Sequence, residues 1–220
     1  LRFTEALPEG PTKTIQTMIL LQRDEDPNVV LSAATEERRA ALDAEDQATF
    51  DIVVCRAKCA LPKADIETLT TALLDAHPGS VGAHAFAADT FRESNIGRAK
   101  AILVSGLRLL DDTTTFAERW MLAGVAREMG QFDAVLTCLD GFVPVDQASP
   151  PLITLALAFA NCGPRPRTHP FFESLAPDVI ADPQYARLAG TAEAARGDLK
   201  SAERHLRVAV EGMPDDLRSH

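Results

Sequence analysis

The stretch Pro183–Asp216, PQYARLAGTAEAARGDLKSAERHLRVAVEGMPDD, carries the clearest structural signal in this 220-residue chain. It contains two helical segments separated by Gly197-Asp198, a pair suited to ending one helix and capping the next. Small residues stand where the two segments would face each other, at Gly190 and Ala202. Pro214 then follows the second segment, where a helix is expected to stop. The stretch therefore predicts two helices packed closely as a hairpin.

The same arrangement recurs along the chain with a regular period. Small residues stand near the start of the second helix of each pair at Ala64, Ala99, Ala134 and Ala202. Their separations are 35, 35 and 68 residues, and 68 is twice 34. The missing member would lie near Thr168. A period of about 34 residues is that of the tetratricopeptide repeat.

Residue identities support this resemblance in the last repeat. Pro183–Asp216 resembles a tetratricopeptide unit, with Gly190 at the small position of the first helix. Ala202, Leu206 and Ala209 fall at the alanine, large apolar and alanine positions of the second helix. The resemblance covers about residues 46–216 and is weakest at 163–170, where three prolines replace a regular turn.

The resemblance implies an all-α fold, an α-solenoid of stacked antiparallel helix hairpins wound into a right-handed superhelix. We expect residues 1–45 to form an N-terminal helical cap or degenerate repeat, 46–216 about five hairpins, and 217–220 a tail. Periodicity and breaker residues predict helices at Thr12–Arg23, Val29–Ala44, Gln47–Ala60, Lys63–Ala76, Val81–Glu93, Gly97–Leu110, Phe116–Met129, Phe132–Phe142, Leu152–Cys162, Phe171–Ala176, Gln184–Arg196 and Leu199–Gly212.

Composition narrows the functional classes. The chain has 46% hydrophobic and 25% charged residues, values typical of globular proteins. Its 22 basic and 32 acidic residues give a net charge of −10, which argues against nonspecific nucleic-acid binding. No apolar run is long enough to predict a membrane span.

The four cysteines form no disulfide framework, so we expect reduced thiols and a cytoplasmic location. Because the chain begins at Leu1, the presence of a targeting signal before this residue is an open question.

The sequence predicts no catalytic site and no cofactor. It contains no phosphate-binding GxxxxGK[ST] loop, no GxSxG motif and no HExxH helix. Cys55 and Cys59 are four residues apart and could share one helix face. A closed zinc site needs four ligands, so we expect these two thiols to pack in the interior instead. Cys162 and His169 lack a visible orienting partner for nucleophilic catalysis. Acidic pairs such as Asp111 and Asp112 are typical of turns and caps.

Binding is the function that the resemblance implies. In tetratricopeptide proteins, the first helices of successive hairpins line a concave groove that receives a peptide or protein. The repeat register places eight residues of this chain at such positions. These are Arg56, His84, Phe91, Arg92, Trp120, Arg127, Asn161 and Arg187.

Arginines beside aromatic residues favour an acidic partner, since guanidinium groups bind carboxylates and aromatic rings supply rigid apolar contacts. The alternative is that Trp120 and Phe91 belong to the core and the arginines form ion pairs with neighbouring glutamates.

From the resemblance and the predicted contact residues, we expect a non-enzymatic scaffold or adaptor that binds a protein or peptide. A regulatory or substrate-positioning repeat domain of a larger enzyme is the second hypothesis. A small-molecule or metal sensor on the same solenoid is the third.

The fourth repeat raises two further expectations. Leu152–Ala160 is apolar on all sides, so it should be buried or covered by another chain, and a homo-oligomer could form there. The following loop, 163–170, bends the stack, serves as a docking edge, or is simple loop variation.

Overall fold

The computed structural model describes residues 10, 14–17, 19 and 26–215. Throughout these residues the regular secondary structure is helical, with no strand, which confirms the all-α class. The chain divides into two compact units, Leu1–Thr114 and Thr115–His220. The predicted tail at 217–220 and most of the predicted helix Thr12–Arg23 lie outside the described residues.

In the first unit the helices from residue 26 onward are α1 (Pro27–Ala33), α2 (Glu36–Ala40), α3 (Ala44–Cys59), α4 (Ile66–Ala76), α5 (Val81–Phe91) and α6 (Ile96–Arg108). In the second unit they are α7 (Phe116–Glu128), α8 (Phe132–Leu139), α9 (Pro150–Asn161), α10 (Thr168–Ser174), α11 (Pro177–Ile180), α12 (Pro183–Arg196) and α13 (Leu199–Gly212).

The first unit is built from consecutive helices that pack on one another. Side chains of Asp43, Asp65, Ser80 and Asn95 accept hydrogen bonds from the first turns of α3, α4, α5 and α6, which sets where each helix begins. Helix α5 contacts α3, α4 and α6, while α1 and α2 contact α3. Every residue of α5 from Val81 to Ala88 is buried, as is Phe91 at its end. It is therefore the central element of this unit.

The second unit contains two hairpins with the same turn. Gly130 and Gly197 end α7 and α12 in the left-handed conformation, at φ of 66° and 88°. The next N–H in each turn donates to a carbonyl five residues back, from Gln131 to Ala126 at 2.8 Å and from Asp198 to Glu193 at 3.0 Å. This bonding satisfies terminal carbonyls of both helices and reverses the chain. Helix α7 packs on α8, and α12 packs on α13.

Helix α9 joins the two hairpins of this unit. It contacts α8, α7 and α12, and the short helix α10 contacts both α9 and α12. The expectation of a buried α9 is largely met, because Leu152, Leu155 and Phe159 are all at most 2% exposed. Phe159 also stacks on Phe171 of α10, with ring centroids 4.3 Å apart. Both faces of α9 that meet other helices are thus apolar.

The structure corrects several predicted boundaries. Val29–Ala44 is not one helix, because the Thr35 side chain accepts a hydrogen bond from Arg38 N–H and starts the separate helix α2. Lys63 does not begin α4, since it adopts a left-handed φ of 65° and Asp65 caps the helix instead. Phe132–Phe142 is shorter than expected and ends at Leu139. The helix predicted at Phe171–Ala176 begins earlier, at Thr168.

Candidate functional site

The predicted contact residues of the first unit do not form one exposed surface. Arg56 is exposed on α3, with its guanidinium carbon 5.4 Å from the centre of the Phe86 ring. His84 and Phe91 on α5 are buried, at 9% and 4% exposure. The His84 Nδ1 atom lies 2.9 Å from the carbonyl oxygen of Ser80. Burial of Phe91 fits the alternative that it belongs to the core, and His84 is buried beside it in the same helix.

Phe91 already has a cationic neighbour inside the first unit. The guanidinium carbon of Arg98 lies 4.1 Å from the centre of the Phe91 ring. The same guanidinium pairs with Glu67 and donates to the Thr71 hydroxyl at 2.7 Å. Arg98 therefore ties α6 to α4 and α5, and Phe91 provides part of that internal contact.

Arg92 pairs with acidic residues beside it, as the alternative interpretation expects for the arginines. Its Nε donates to Asp89 at 3.2 Å, and its Nη2 lies 3.7 Å from Glu93 Oε1. Both carboxylates are exposed, so these pairs add little stability. Whether Arg56 and Arg92 contact a partner stays a prediction.

The four predicted residues of the second unit lie on the less buried sides of three helices. The buried residues of α7, α9 and α12 face α8, α10 and α13, or one another. The remaining stripe of each helix is exposed or half-buried. Trp120 and Arg127 lie on the stripe of α7, Asn161 on that of α9, and Arg187 on that of α12.

Residues on these stripes recur at nearly constant spacing along the chain. Trp120, Ile153 and Arg187 are separated by 33 and 34 residues, and all three are half-buried. Gly124 and Leu157 are likewise 33 residues apart, one turn further along α7 and α9. We call Trp120, Gly124, Arg127, Ile153, Leu157 and Arg187 the open face of the second unit.

Arg127 links helix α7 to its neighbour α9. Its Nη1 donates to the Thr154 hydroxyl of α9 at 3.3 Å, and its Nη2 donates to Glu128 Oε1 at 2.7 Å. A β-carbon added at Gly124 would meet no atom within 4 Å, so the surface beside Arg127 is open. The open face therefore combines accessible apolar area with guanidinium groups held on separate helices.

Sequence reasoning did not include Ile153 and Leu157 among the contact residues. The all-round apolar character of α9 indicated burial for the whole segment, whereas these two positions stay half-buried on the open side. The 33-residue spacing from Trp120 and Gly124 is the signal that could have identified them. Neighbouring Met121 adds an exposed apolar side chain, at 38% exposure.

Each unit also contains a charged cluster away from the predicted contact residues. In the first, Asp51 accepts hydrogen bonds from Arg39 at 2.7 and 2.8 Å and lies 2.7 Å from His77 Nε2. In the second, the nearly buried Glu193 lies 2.7 Å from His169 Nδ1 and accepts from Arg196 at 2.6 Å. Both clusters link separate helical segments, which indicates a structural role.

The cysteines show no activation. Burial, then the neighbouring Cys59, raises the pKa of the Cys55 thiol to about 12. Burial, then hydrogen bonding to Asp133, raises the pKa of Cys162 to about 11. His169 does not orient Cys162, because its two ring nitrogens face Glu193 and Glu173. A thiol with a raised pKa is a poor nucleophile at neutral pH.

Metal-ligating clusters and membrane-spanning helices are both absent from the described residues. No group of three or more His, Cys, Asp or Glu side chains is placed to hold a metal ion there. Within the same part of the chain, none of the helices has the length and apolarity needed to cross a bilayer. Comparison of the chain with family models, curated proteins and solved structures found no match.

Proposed function

We propose that this protein is a non-enzymatic scaffold, built from tetratricopeptide-like helical hairpins, that binds a segment of another protein on the open face of its second unit. The observation that supports the proposal is that Trp120, Ile153 and Arg187, spaced 33 and 34 residues apart on the contacting helices α7, α9 and α12, all stay half-buried. Surfaces that combine accessible apolar residues with arginines are typical of protein contacts.

The chemistry of the open face favours a partner with apolar and acidic residues. Trp120, Ile153 and Leu157 offer a half-buried apolar surface to bury on binding. Arg127 and Arg187 supply guanidinium donors beside it, and guanidinium groups bind carboxylates with defined geometry. Glu128 pairs with Arg127 but is 48% exposed, so a partner carboxylate can compete with this surface pair.

Selection of peptides from a random displayed library on the purified chain tests this proposal. We expect the selected peptides to be enriched in acidic and large apolar residues. Arg127→Met and Arg187→Met should each weaken their binding about tenfold, the loss expected for one charge-assisted hydrogen bond. Arg207→Met on α13, where Arg207 pairs with Glu203 at 2.8 Å, is the matched control and should bind normally.

Two outcomes would contradict the proposal. One is a set of selected peptides without acidic residues. The other is equal loss of affinity in Arg207→Met and in the two open-face variants. Circular dichroism of each variant separates loss of contact from loss of fold.

A further inference from the structure

A slot of about 520 Å³ lies in the second unit between α8 and the loop that joins α9 to α10. Helix α8 contributes Asp133, Leu136 and Thr137, whose spacing places all three on one side of the helix, and Asp140, directly after its last residue, lines the same slot. The slot exists because α10 starts only at Thr168, is seven residues long, and packs on α9 and α12 rather than along α8.

The floor of the slot is apolar. Leu136 is half-buried and supplies accessible apolar surface, while Phe159, which also lines the slot and stacks on Phe171, is only 2% exposed. Pro166 forms part of the opposite wall. Accessible apolar surface in a concave site gains free energy when a ligand removes it from water.

The rim carries two ion pairs between α8 and the loop. Arg165 Nη2 lies 2.6 Å from Asp133 Oδ1, and Arg167 donates to both oxygens of Asp140, at 2.9 Å from Nη2 to Oδ1. Asp140 is only 19% exposed, whereas Arg167 is 70% exposed. The carboxylate is thus covered and already bonded, and the group presented outward at this end is the guanidinium.

The two ion pairs also limit the length of the slot. Asp133 lies in the first turn of α8 and Asp140 directly follows its last residue, so the two are about 10 Å apart along the helix axis at about 1.5 Å per residue. This length and the volume suit a small organic molecule, since pockets of about 300–1,000 Å³ are typical for such ligands.

We propose that this slot is a binding site for a small amphiphilic anion. Its aromatic or aliphatic body would lie between Leu136 and Pro166, and its anionic group would meet Arg167. The site is made by the loop at 163–170, where the chain departs most from the repeat pattern. This inference is independent of the open face, because none of the slot's lining residues belongs to the open face.

Titration of the full chain with 1-anilinonaphthalene-8-sulfonate, an aromatic sulfonate, tests the proposal. We expect saturable binding, with amide shifts in ¹⁵N-edited NMR spectra grouped at Leu136, Thr137, Arg165 and Arg167. The uncharged analogue N-phenyl-1-naphthylamine should bind about tenfold more weakly, since it lacks the charge-assisted contact to Arg167.

Two variants and one control complete the test. Arg167→Met should weaken sulfonate binding about tenfold or more. Thr137→Trp should abolish binding by filling the slot from an exposed position, so it tests the site even if Arg167→Met fails to fold. Arg207→Met should bind like the wild type.

Three results would overturn the proposal. They are absence of saturable binding, amide shifts grouped on the open face around Gly124 and Leu157, and unchanged affinity in a folded Thr137→Trp variant.

Discussion

Gly190 of α12 lies directly against Leu206 of α13. A β-carbon at position 190 would come within 2.7 Å of Leu206 Cγ and 3.2 Å of the Ala202 carbonyl oxygen. The two helices therefore approach closely at the position where the repeat pattern requires a small residue. This contact explains why glycine stands in the middle of a helix, where it normally costs about 0.5–1 kcal/mol relative to alanine.

The first prediction concerns this contact. Gly190→Ala should lower the free energy of unfolding by about 1–3 kcal/mol, because the added methyl group forces Leu206 or the backbone of α13 to move. Gly124→Ala is the matched control, since its methyl group meets nothing within 4 Å and should stabilise α7 by about 0.5–1 kcal/mol. Urea unfolding followed by circular dichroism measures both changes, and equal effects would contradict this packing.

The second prediction concerns the turn between α12 and α13. Gly197 adopts a φ of 88°, so Gly197→Ala should destabilise the protein by about 1–2 kcal/mol through steric strain. Gly197→Asn should cost less, because asparagine tolerates the left-handed conformation better. Thermal melts of the three proteins should rank glycine first, asparagine second and alanine last. A tie between alanine and glycine would show that this turn is not left-handed.

Several features of the fold could be predicted from sequence because they depend on local chemistry. Helix α13 matches its predicted bounds of Leu199–Gly212, since Asp198 caps one end and Pro214 follows the other. The break at Ala34-Thr35 was missed because the charges that follow also suit a continuing helix. The contact residues were harder to predict, since periodicity does not tell which side of a helix is covered by neighbouring helices. His84 and Phe91 occupy the expected helix but are buried, because α5 has neighbours on several sides.

The third prediction concerns pH. Burial by itself raises the pKa of Asp51, but hydrogen bonds from Arg39 and His77 outweigh burial, so the pKa lies below its ordinary value of about 3.9. A depressed carboxyl pKa stabilises the fold above the unfolded-state pKa, and this contribution is lost as pH falls through the folded-state value. The wild type should therefore lose stability below about pH 4.

Asp51→Asn provides the comparison. At pH 7 it should destabilise the first unit by about 1–3 kcal/mol, since Arg39 and His77 lose their charged partner. Its unfolding free energy should then fall less steeply than that of the wild type on acidification. Urea unfolding at a series of pH values measures the two slopes, and parallel curves would exclude this role for Asp51.

The fourth prediction concerns thiol reactivity. Burial and the hydrogen bond to Asp133 hold the pKa of Cys162 at about 11, so its alkylation by iodoacetamide at pH 8 should be slow. Asp133→Asn removes the neighbouring negative charge and should accelerate labelling several-fold, with Cys138 as the internal control. Burial raises the pKa of Cys138 to about 12, and its labelling should not change. Peptide mass spectrometry after timed labelling gives both rates, and unchanged labelling at Cys162 would contradict the assigned contact.

The proposed binding function is tested most directly by titrating a library-selected peptide into the wild type and into Gly124→Phe by isothermal calorimetry. Position 124 lies in open space at the centre of the open face, so phenylalanine there should obstruct a partner without disturbing the core. Thr137→Phe, on the exposed side of α8, is the control for an added aromatic ring. We predict that Gly124→Phe weakens binding at least about tenfold while Thr137→Phe binds like the wild type. Equal affinity of the wild type and a folded Gly124→Phe variant would show that the partner does not bind on the open face.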